Sequence, residues 1–259
     1  MFVDSHCHLD RLEKNTEELK DLLIFAQRRG VEHFLCVCVS VADFPQMMEK
    51  VQGLANVSVS CGVHPLHQDE ACDYATLLEM AKHPEVVAIG ETGLDYFYSA
   101  ETKAVQLTSF IDHIKVANEL NKPLIIHTRD AREDTINLLK QYKAPHTKGV
   151  LHCFTESWEM AQEAIALGFY ISISGIVTFK TATELQEVVK KIPLEKLLIE
   201  TDSPWLAPVP YRGKQNQPGY VREVGEFIAQ LKGISVEELA AVTTQNFYEL
   251  FSITPSSLS

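Results

Sequence analysis

Short apolar runs recur along the chain, separated by segments in which apolar residues fall at helical spacing. Eight such runs are present: FVDSH, HFLCVCV, VSVSCGV, VVAIGE, PLIIH, GVLHCF, FYISISG and KLLIETD. Strands that alternate with helices predict a parallel sheet, and eight units are enough to close a TIM (β/α)8 barrel. A doubly wound open sheet is the alternative architecture. Polar residues at the ends of the runs favour the barrel.

The segments between the runs carry helix signals. TKAVQLTSFIDHIKVANELN has apolar residues at helical spacing, SWEMAQEAIALG ends in a glycine suited to a helix C-cap, and SVEELAAVTTQNFYELFSI opens on a capping pattern. Pro255 and the serines beyond it predict a frayed tail over residues 254–259. Because no repeat or linker divides the chain, residues 1–259 are expected to form a single domain.

Composition narrows the class of protein. The 259 residues are 46% hydrophobic and 22% charged, as in ordinary globular proteins. No run approaches a membrane span, the amino terminus lacks the regions of a secretory signal, and the six cysteines do not form a disulfide pattern. We therefore expect a cytoplasmic protein with no membrane partner. A net charge of −12 argues against a surface that grips duplex DNA along many phosphates.

Metal-binding residue types lie at the ends of five of the runs. Residues two apart in a strand point the same way, so His6 and His8 are expected to project together into the barrel mouth. Four more residues of metal-binding type lie at the ends of other runs: Glu91, His127, His152 and Asp202. Each alone has a structural alternative, as a hydrogen-bonded histidine or a helix-capping acid. Together at one face, they would be costly to bury without a cation, so the set predicts a metal site.

Six motifs in the chain resemble those of the TatD family of metal-dependent hydrolases. They are DSHCHLD, GVHP, GETGLDYFY, IHTRDA, LHCFT and ETDSPWLAPVPYRGKQNQP, which occur in this order along nearly the full length. The sequence looks most like the YcfH-type branch, described as metal-dependent hydrolases or deoxyribonucleases. The resemblance implies an amidohydrolase-like barrel, in agreement with the strand spacing.

The family pattern also implies a ligand arrangement with two divalent metal ions. It assigns His6 and His8 to one ion and His127 and His152 to the other. Glu91 would bridge both ions, and Asp202 would complete the first site. Four imidazoles suit Zn²⁺, Mn²⁺ or Co²⁺, whereas the family is associated with Mg²⁺, so the identity of the metal (Mg, Mn or Zn) stays open.

Such a pair of ions predicts hydrolysis by an activated water. Two cations about 3.5–4 Å apart lower the pKa of a shared water and clamp the oxygens of a phosphodiester. Asp202 is the candidate general base. Two divalent ions, two carboxylates and neutral histidines leave the pocket about two charges positive, so an acidic protein can still accept a phosphate there.

Four residues are candidates for contact with substrate. His64, in GVHP, is expected to face the mouth and contact a substrate oxygen or the leaving group, or else to anchor the turn before Pro65. Arg129 can hold a phosphate or pair with a neighbouring acid. Tyr96, in an aromatic group with Phe97 and Tyr98, offers a surface for base stacking, as does Trp205. Arg212, together with Lys214, gives the long loop after the eighth run a basic edge.

Two buried acids are candidates for support of the ligands. Asp4 lies two residues before His6, and Glu200 lies two residues before Asp202. Both are expected to point into the barrel, where they can accept hydrogen bonds from ligand histidines. The alternative is that they satisfy other buried donors.

The favoured function is metal-dependent hydrolysis of DNA phosphodiesters, from a 3′ end of single-stranded or frayed substrate. A second hydrolase hypothesis keeps the metals but changes the bond to another ester or amide, such as the aminoacyl linkage on transfer RNA. A metal-stabilised binding module without enzymatic activity is the third. The full ligand set, with His64 and Arg129 beside it, exceeds what a structural site needs. A monomer is expected.

Overall fold

Eight parallel strands form one sheet in chain order, which confirms the predicted TIM barrel. The structure, a computed structural model, describes residues 1–70, 73–142 and 148–254. The strands are β1 (Phe2–Cys7), β2 (Val31–Cys36), β3 (Val57–Cys61), β4 (Val86–Asp95), β5 (Leu124–Arg129), β6 (Gly149–Leu151), β7 (Tyr170–Ile173) and β8 (Leu197–Ile199). The ring closes where Cys7 pairs with Ser203 and the His8 amide donates to Ser203 O at 2.8 Å.

Helices follow the strands and surround the sheet. They are α1 (Thr16–Arg28), α2 (Phe44–Val51), α3 (Tyr74–Ala81), α4 (Lys103–Leu120), α5 (Arg132–Gln141), α6 (Trp158–Ala166), α7 (Thr183–Lys191), α8 (Val221–Lys232) and α9 (Val236–Phe251). The glycine predicted to end α6 is Gly168, which adopts a φ of +94°. In the described ranges, no helix is long and apolar enough to cross a membrane. Of the predicted frayed tail, residues 255–259 lie outside those ranges.

Helix α9 closes the amino-terminal end of the barrel. Phe247, Leu250 and Phe251 pack in one buried cluster with apolar residues of the strands, among them Val3, Leu35, Ile125, Val150 and Leu198. The Asn246 side chain donates to Leu194 O at 2.9 Å and to Leu197 O at 2.8 Å, which fixes the helix to the start of β8. This end of the barrel is therefore sealed by apolar packing.

Strand β4 continues past the point where the sequence pattern ends it. The apolar run stops at Glu91, but the strand extends four residues further, to Asp95. Two glycines allow this, because a Cβ at Gly90 would lie 2.5 Å from Ile125 O and one at Gly93 would collide with His127 O. The prediction that Glu91 ends its strand is thus wrong, and so is the same prediction for His127, because β5 runs two residues further, to Arg129. The longer strand brings Asp95 to the same end of the barrel.

Candidate metal centre

The six predicted ligand residues converge at the carboxyl ends of the strands. His6 lies in β1, Glu91 in β4 and His127 in β5, whereas His8, His152 and Asp202 follow the ends of their strands. Most of these side chains are buried, and His127 and Asp202 are partly exposed. All of them except His6 contribute to the wall of a cavity of about 650 Å³ at the barrel mouth. The size is that of a small-molecule or cofactor site.

Glu91 lies at the centre, and its two carboxylate oxygens face different sets of histidines. Oε2 is 3.4 Å from His6 Nε2 and 3.8 Å from His8 Nε2. Oε1 is 2.7 Å from His152 Nε2 and 3.5 Å from His127 Nδ1. One carboxylate is therefore placed to bind on both sides.

Asp202 completes the side occupied by His6 and His8. Its Oδ1 lies 3.4 Å from His8 Nε2 and 3.7 Å from His6 Nε2, and the two imidazole nitrogens are 3.1 Å apart. Nitrogens bound to a common ion at about 2.0–2.1 Å are separated by about 2.8–3.4 Å when they subtend a right to tetrahedral angle. The spacing observed here fits a shared cation.

The outward nitrogens of three histidines are hydrogen-bonded to acceptors. His8 Nδ1 is 2.8 Å from Val37 O, His152 Nδ1 is 3.2 Å from Glu200 Oε1, and His127 Nε2 is 2.9 Å from Asp95 Oδ2. Because a carbonyl or carboxylate oxygen only accepts, we assign the proton of each neutral ring to its outward nitrogen. The inward nitrogen then carries the lone pair that a metal requires.

The charges of the site point to the same need for a cation. Burial raises the pKa of Glu91, but the charge of His152 and the hydrogen bonds from His127 and His152 help to outweigh burial and hold that pKa well below its usual range. Burial lowers the pKa of His152, yet the negative charges of Glu91 and Glu200 hold it well above its usual value. The buried carboxylates thus stay ionised and demand positive charge beside them, which divalent ions can supply.

His64 differs from the ligand histidines in which ring nitrogen carries the proton. Its Nε2 lies 3.2 Å from Glu91 Oε1, so His64, Glu91 and His127 form one of the clusters that could hold a metal ion. However, His64 Nδ1 accepts a hydrogen bond from the Leu66 amide at 3.1 Å. The proton of the neutral ring therefore belongs on Nε2, where it makes His64 a donor into the cavity. This favours contact with substrate over metal ligation.

Two of the four predicted substrate residues line the cavity, and two do not. Arg129 lines it together with His64, and its guanidinium lies 4.3 Å from the ring centroid of Phe97 and 4.7 Å from that of Tyr98. Tyr96 is not among the lining residues, because its hydroxyl donates to Asp134 Oδ2 at 2.7 Å on the outer side.

The other displaced candidate is Arg212. Its guanidinium lies 3.8 Å from the centroid of the Phe179 ring, away from the cavity wall. The aromatic surfaces at the mouth come instead from Tyr98 and from Trp205, whose ring packs 5.2 Å from that of His8. Stacking at the mouth is therefore available without Tyr96 or Arg212.

The two supporting acids have separate roles. Glu200 Oε1 contacts His152, as expected, and also accepts from the Cys153 amide at 2.8 Å. Asp4 accepts from the Thr201 amide at 2.8 Å and from its hydroxyl at 2.6 Å, which joins β1 to the segment after β8. Its predicted contact with a ligand imidazole is absent, because the carboxylate is occupied at this seam.

Sequence reasoning missed several residues of the site, three of which carry an acid, a guanidinium or an imidazole. Asp95 contacts His127, and Arg11 and His67 line the cavity. Asp95 had a usable signal, because residues four apart in one strand share a face with Glu91. Arg11 and His67 come from short 3-10 segments after β1 and β3, whose direction the sequence pattern does not indicate.

Comparison with known proteins assigns the chain to a family. A family model described as TatD related DNase matches residues 3–252. The chain belongs to the TatD family. YcfH of Escherichia coli K12, described as an uncharacterized metal-dependent hydrolase, is 52% identical to it, covering 99% of this chain and 97% of YcfH.

Two further TatD relatives show the range of the similarity. The 3'-5' ssDNA/RNA exonuclease TatD of Escherichia fergusonii is 36% identical over 90% of this chain and 92% of that protein. The crystal structure of YJJV, a TatD homologue from Escherichia coli K12, matches with a TM-score of 0.91 and 26% identity over 98% of each chain. This TatD-family chain is therefore a metal-dependent hydrolase with an amidohydrolase-like barrel.

Proposed function

We propose that this protein is a deoxyribonuclease that removes nucleotides from the 3′ end of single-stranded or frayed DNA, with two divalent ions in its active site. The observation that carries the proposal is the divided carboxylate of Glu91. One oxygen faces His6 and His8, and the other faces His127 and His152. A bridging carboxylate is typical of two-metal hydrolytic sites, which act on phosphodiesters among other bonds.

The residues present fit such ions by the chemistry of their donors. In their neutral form, three histidines direct a lone pair inward, and the carboxylates of Glu91 and Asp202 complete the set. We assign His6, His8 and Asp202 to one ion and His127 and His152 to the other. When bound, the ions would supply a water of lowered pKa and positive charge for the phosphate oxygens.

Asp202 is the proposed general base. Its side chain is more exposed than that of Glu91, at 14% against 3%, so it reaches the cavity where water enters. Burial raises its pKa, but the hydrogen bond to His8 and the charge of His6 outweigh burial and lower it. An ionised carboxylate at this position can accept the proton of the attacking water.

His64 and Arg129 are proposed to hold the phosphate. His64 lines the cavity, and its Nε2 proton lies beside Glu91 Oε1 at 3.2 Å, where it can donate to a phosphate oxygen or to the leaving oxygen of a substrate bound at the centre. Arg129 adds a positive charge at the mouth, with its guanidinium fixed against two aromatic rings. Local positive charge of this kind offsets a formal net charge of −12.

The shape of the cavity supports the preference for a strand end. Helix α9 covers the opposite end of the barrel with apolar packing, so we expect substrate to enter at the open end, where the cavity lies. A terminal nucleotide can reach the floor of such a cavity, whereas the middle of a duplex cannot. Tyr98 and Trp205 offer rings on which neighbouring bases can stack.

The test is digestion of single-stranded DNA by purified protein. Oligonucleotides labelled at the 5′ end and at the 3′ end would be incubated with Mg²⁺, Mn²⁺, Zn²⁺ or chelator. With metal, we expect the 3′-labelled strand to release a labelled mononucleotide at the start of the reaction. The 5′-labelled strand should give a ladder of progressively shorter products. An aminoacyl-tRNA and a simple aryl ester, tested in parallel, are expected to be poor substrates.

Outcomes of this assay separate the hypotheses. No cleavage of DNA by protein that binds metal would contradict the nuclease proposal. Turnover of the aminoacyl ester instead would indicate that the same centre acts on another bond.

A further inference from the structure

We propose that Asp95 is a positioning residue that fixes which nitrogen of His127 faces the metal centre and, with the same carboxylate, orders the aromatic lip formed by Phe97 and Tyr98. The inference rests on the proposed metal role of His127. Asp95 was not named from the sequence, and it becomes part of the site because β4 continues beyond Glu91.

The carboxylate of Asp95 is fully buried, and its two oxygens contact different groups. Oδ2 lies 2.9 Å from His127 Nε2. Oδ1 accepts from the Phe97 amide at 3.1 Å and from the Tyr98 amide at 2.8 Å. Two backbone donors on one oxygen hold the carboxylate in a single orientation.

This orientation decides the tautomer of His127. Since Oδ2 can only accept, the Nε2 atom of the ring must carry a proton. The lone pair of the neutral ring is then on Nδ1, which faces Glu91 Oε1 at 3.5 Å. A hydrogen bond to the outward nitrogen of a ligand histidine sets both its tautomer and its direction.

The backbone of Asp95 is anchored from the outer helix layer. Gln106 of α4, which is fully buried, accepts from the Asp95 amide at 2.8 Å and donates to Asp95 O at 3.0 Å. The side-chain NH₂ of Gln106 also donates to Ser99 O at 2.8 Å, directly after Tyr98. Asp95 therefore occupies a fixed position between α4 and His127.

The other oxygen links this position to the cavity mouth. Phe97 and Tyr98, whose amides bind Oδ1, present their rings to the guanidinium of Arg129. One carboxylate thus connects a candidate metal ligand with the candidate phosphate contact. Loss of the contacts of both oxygens is expected to affect metal binding and substrate binding together, whereas a change at Oδ2 alone should act on His127.

The decisive variant is Asp95→Asn, which preserves shape but reverses one hydrogen bond. The Phe97 and Tyr98 amides hold the asparagine oxygen, so its NH₂ group faces His127. The ring must then accept at Nε2 and carry its proton on Nδ1, the nitrogen needed by the metal. We expect metal affinity at the His127 side to fall by about 10–100-fold.

The first readout is nitrogen-15 NMR of metal-free protein at alkaline pH, where imidazoles are neutral. We expect His127 of the wild type to carry its proton on Nε2, and that of Asp95→Asn to carry it on Nδ1. The second readout is calorimetry with Mn²⁺. We expect two binding events in the wild type, of which one is weakened in the variant.

Asp134→Asn is the matched control. Asp134, in α5, accepts a hydrogen bond from the Tyr96 hydroxyl at 2.7 Å. Among the contacts of the described residues, it has none with His127. The same chemical change there is expected to leave the His127 tautomer and the Mn²⁺ affinity unchanged. This separates loss of a carboxylate near the lip from loss of the contact with His127.

The outcomes distinguish this proposal from the one on which it rests. A wild-type His127 protonated on Nδ1 would overturn the role of Asp95 without any variant, and so would an Asp95→Asn protein with unchanged tautomer and affinity. Unchanged Mn²⁺ binding by a folded His127→Ala variant would instead contradict the metal role of His127. In that case the tautomer measurement would still test the effect of Asp95 on the ring.

Discussion

The two ends of the barrel are built from the same strands but held by opposite kinds of interaction. At the amino-terminal end, Val3 of β1 packs with Phe247 and Phe251 of α9 in an apolar cluster. Three residues further along β1, His6 lies among buried acids and imidazoles. The change takes place within one strand of six residues.

This contrast indicates that one end of the barrel provides stability and the other end provides the chemistry. Apolar burial stabilises the closed end, at roughly 25 cal/mol for each Å² removed from water. At the open end, ionised groups are buried at a cost that only partners or cations offset. Stability and chemistry should therefore respond to different mutations, and the following experiments test that separation.

The largest expected effect is on turnover at the open end. Asp202→Asn removes the proposed base, and we expect kcat on single-stranded DNA to fall by about 10²–10⁴-fold. The thermal midpoint of the metal-free protein is expected to stay close to that of the wild type, because the apolar cluster is untouched. Wild-type turnover by the variant would contradict the role of Asp202.

The reverse experiment is a mutation that creates a cavity in the apolar cluster at the closed end. Phe247→Ala removes a buried ring from the cluster, and we expect the free energy of unfolding to fall by about 3–5 kcal/mol. Below its melting range, the variant should keep wild-type metal affinity and kcat. Denaturant titration and calorimetry check the two statements. A selective loss of metal affinity in a folded variant would show that the ends are coupled.

A third prediction concerns pH and a histidine behind the open end. Burial lowers the pKa of His113 to about 4, and its Nε2 accepts from the Val63 amide at 2.9 Å, next to His64. The neutral ring is favoured in the folded state, so its contribution is complete above the unfolded pKa near 6.5. It is lost as the pH falls from there toward 4.

The size of this effect follows from the shift. We expect His113 to account for about 2–3 kcal/mol of acid destabilisation over that window. Denaturant titrations at several pH values would compare wild type with His113→Gln. The variant is expected to lose less stability between pH 6.5 and 4. Parallel curves for the two proteins would contradict the assignment.

The smallest predicted effect lies in the loop that carries Asp202. The buried Asn216 side chain donates to Thr201 O at 2.8 Å and to Trp205 O at 2.6 Å. Asn216→Asp removes both donations while keeping the size, and we expect a loss of about 1–2 kcal/mol in unfolding free energy. A modest fall in kcat should accompany it, because the loop positions the base. Unchanged stability would show that the loop is held by other contacts.

Much of this organisation could be predicted from the sequence, because it depends on local periodicity. Each of the eight apolar runs overlaps one strand, and a barrel brings the ends of parallel strands to one face. That rule alone places His6, His127 and Asp202 together. The extension of β4 was missed because it depends on how closely Gly93 packs against β5, which no pattern within one strand reports.

The directions of loop side chains were the least predictable feature. Tyr96 and Arg212 follow strands, yet their partners Asp134 and Phe179 lie in other segments of the chain. Asp4 likewise bonds across the barrel seam to Thr201, 197 positions away. Such choices are decided by tertiary contacts that compete for each polar atom.

The most direct test of the two-ion centre is anomalous diffraction from crystals of this protein soaked in Mn²⁺. We predict two peaks about 3.5–4 Å apart, one against each carboxylate oxygen of Glu91. The first should lie beside His6, His8 and Asp202, and the second beside His127 and His152. A single peak, or a pair that leaves one Glu91 oxygen unused, would contradict the bridging role of Glu91 and the proposed chemistry that depends on it.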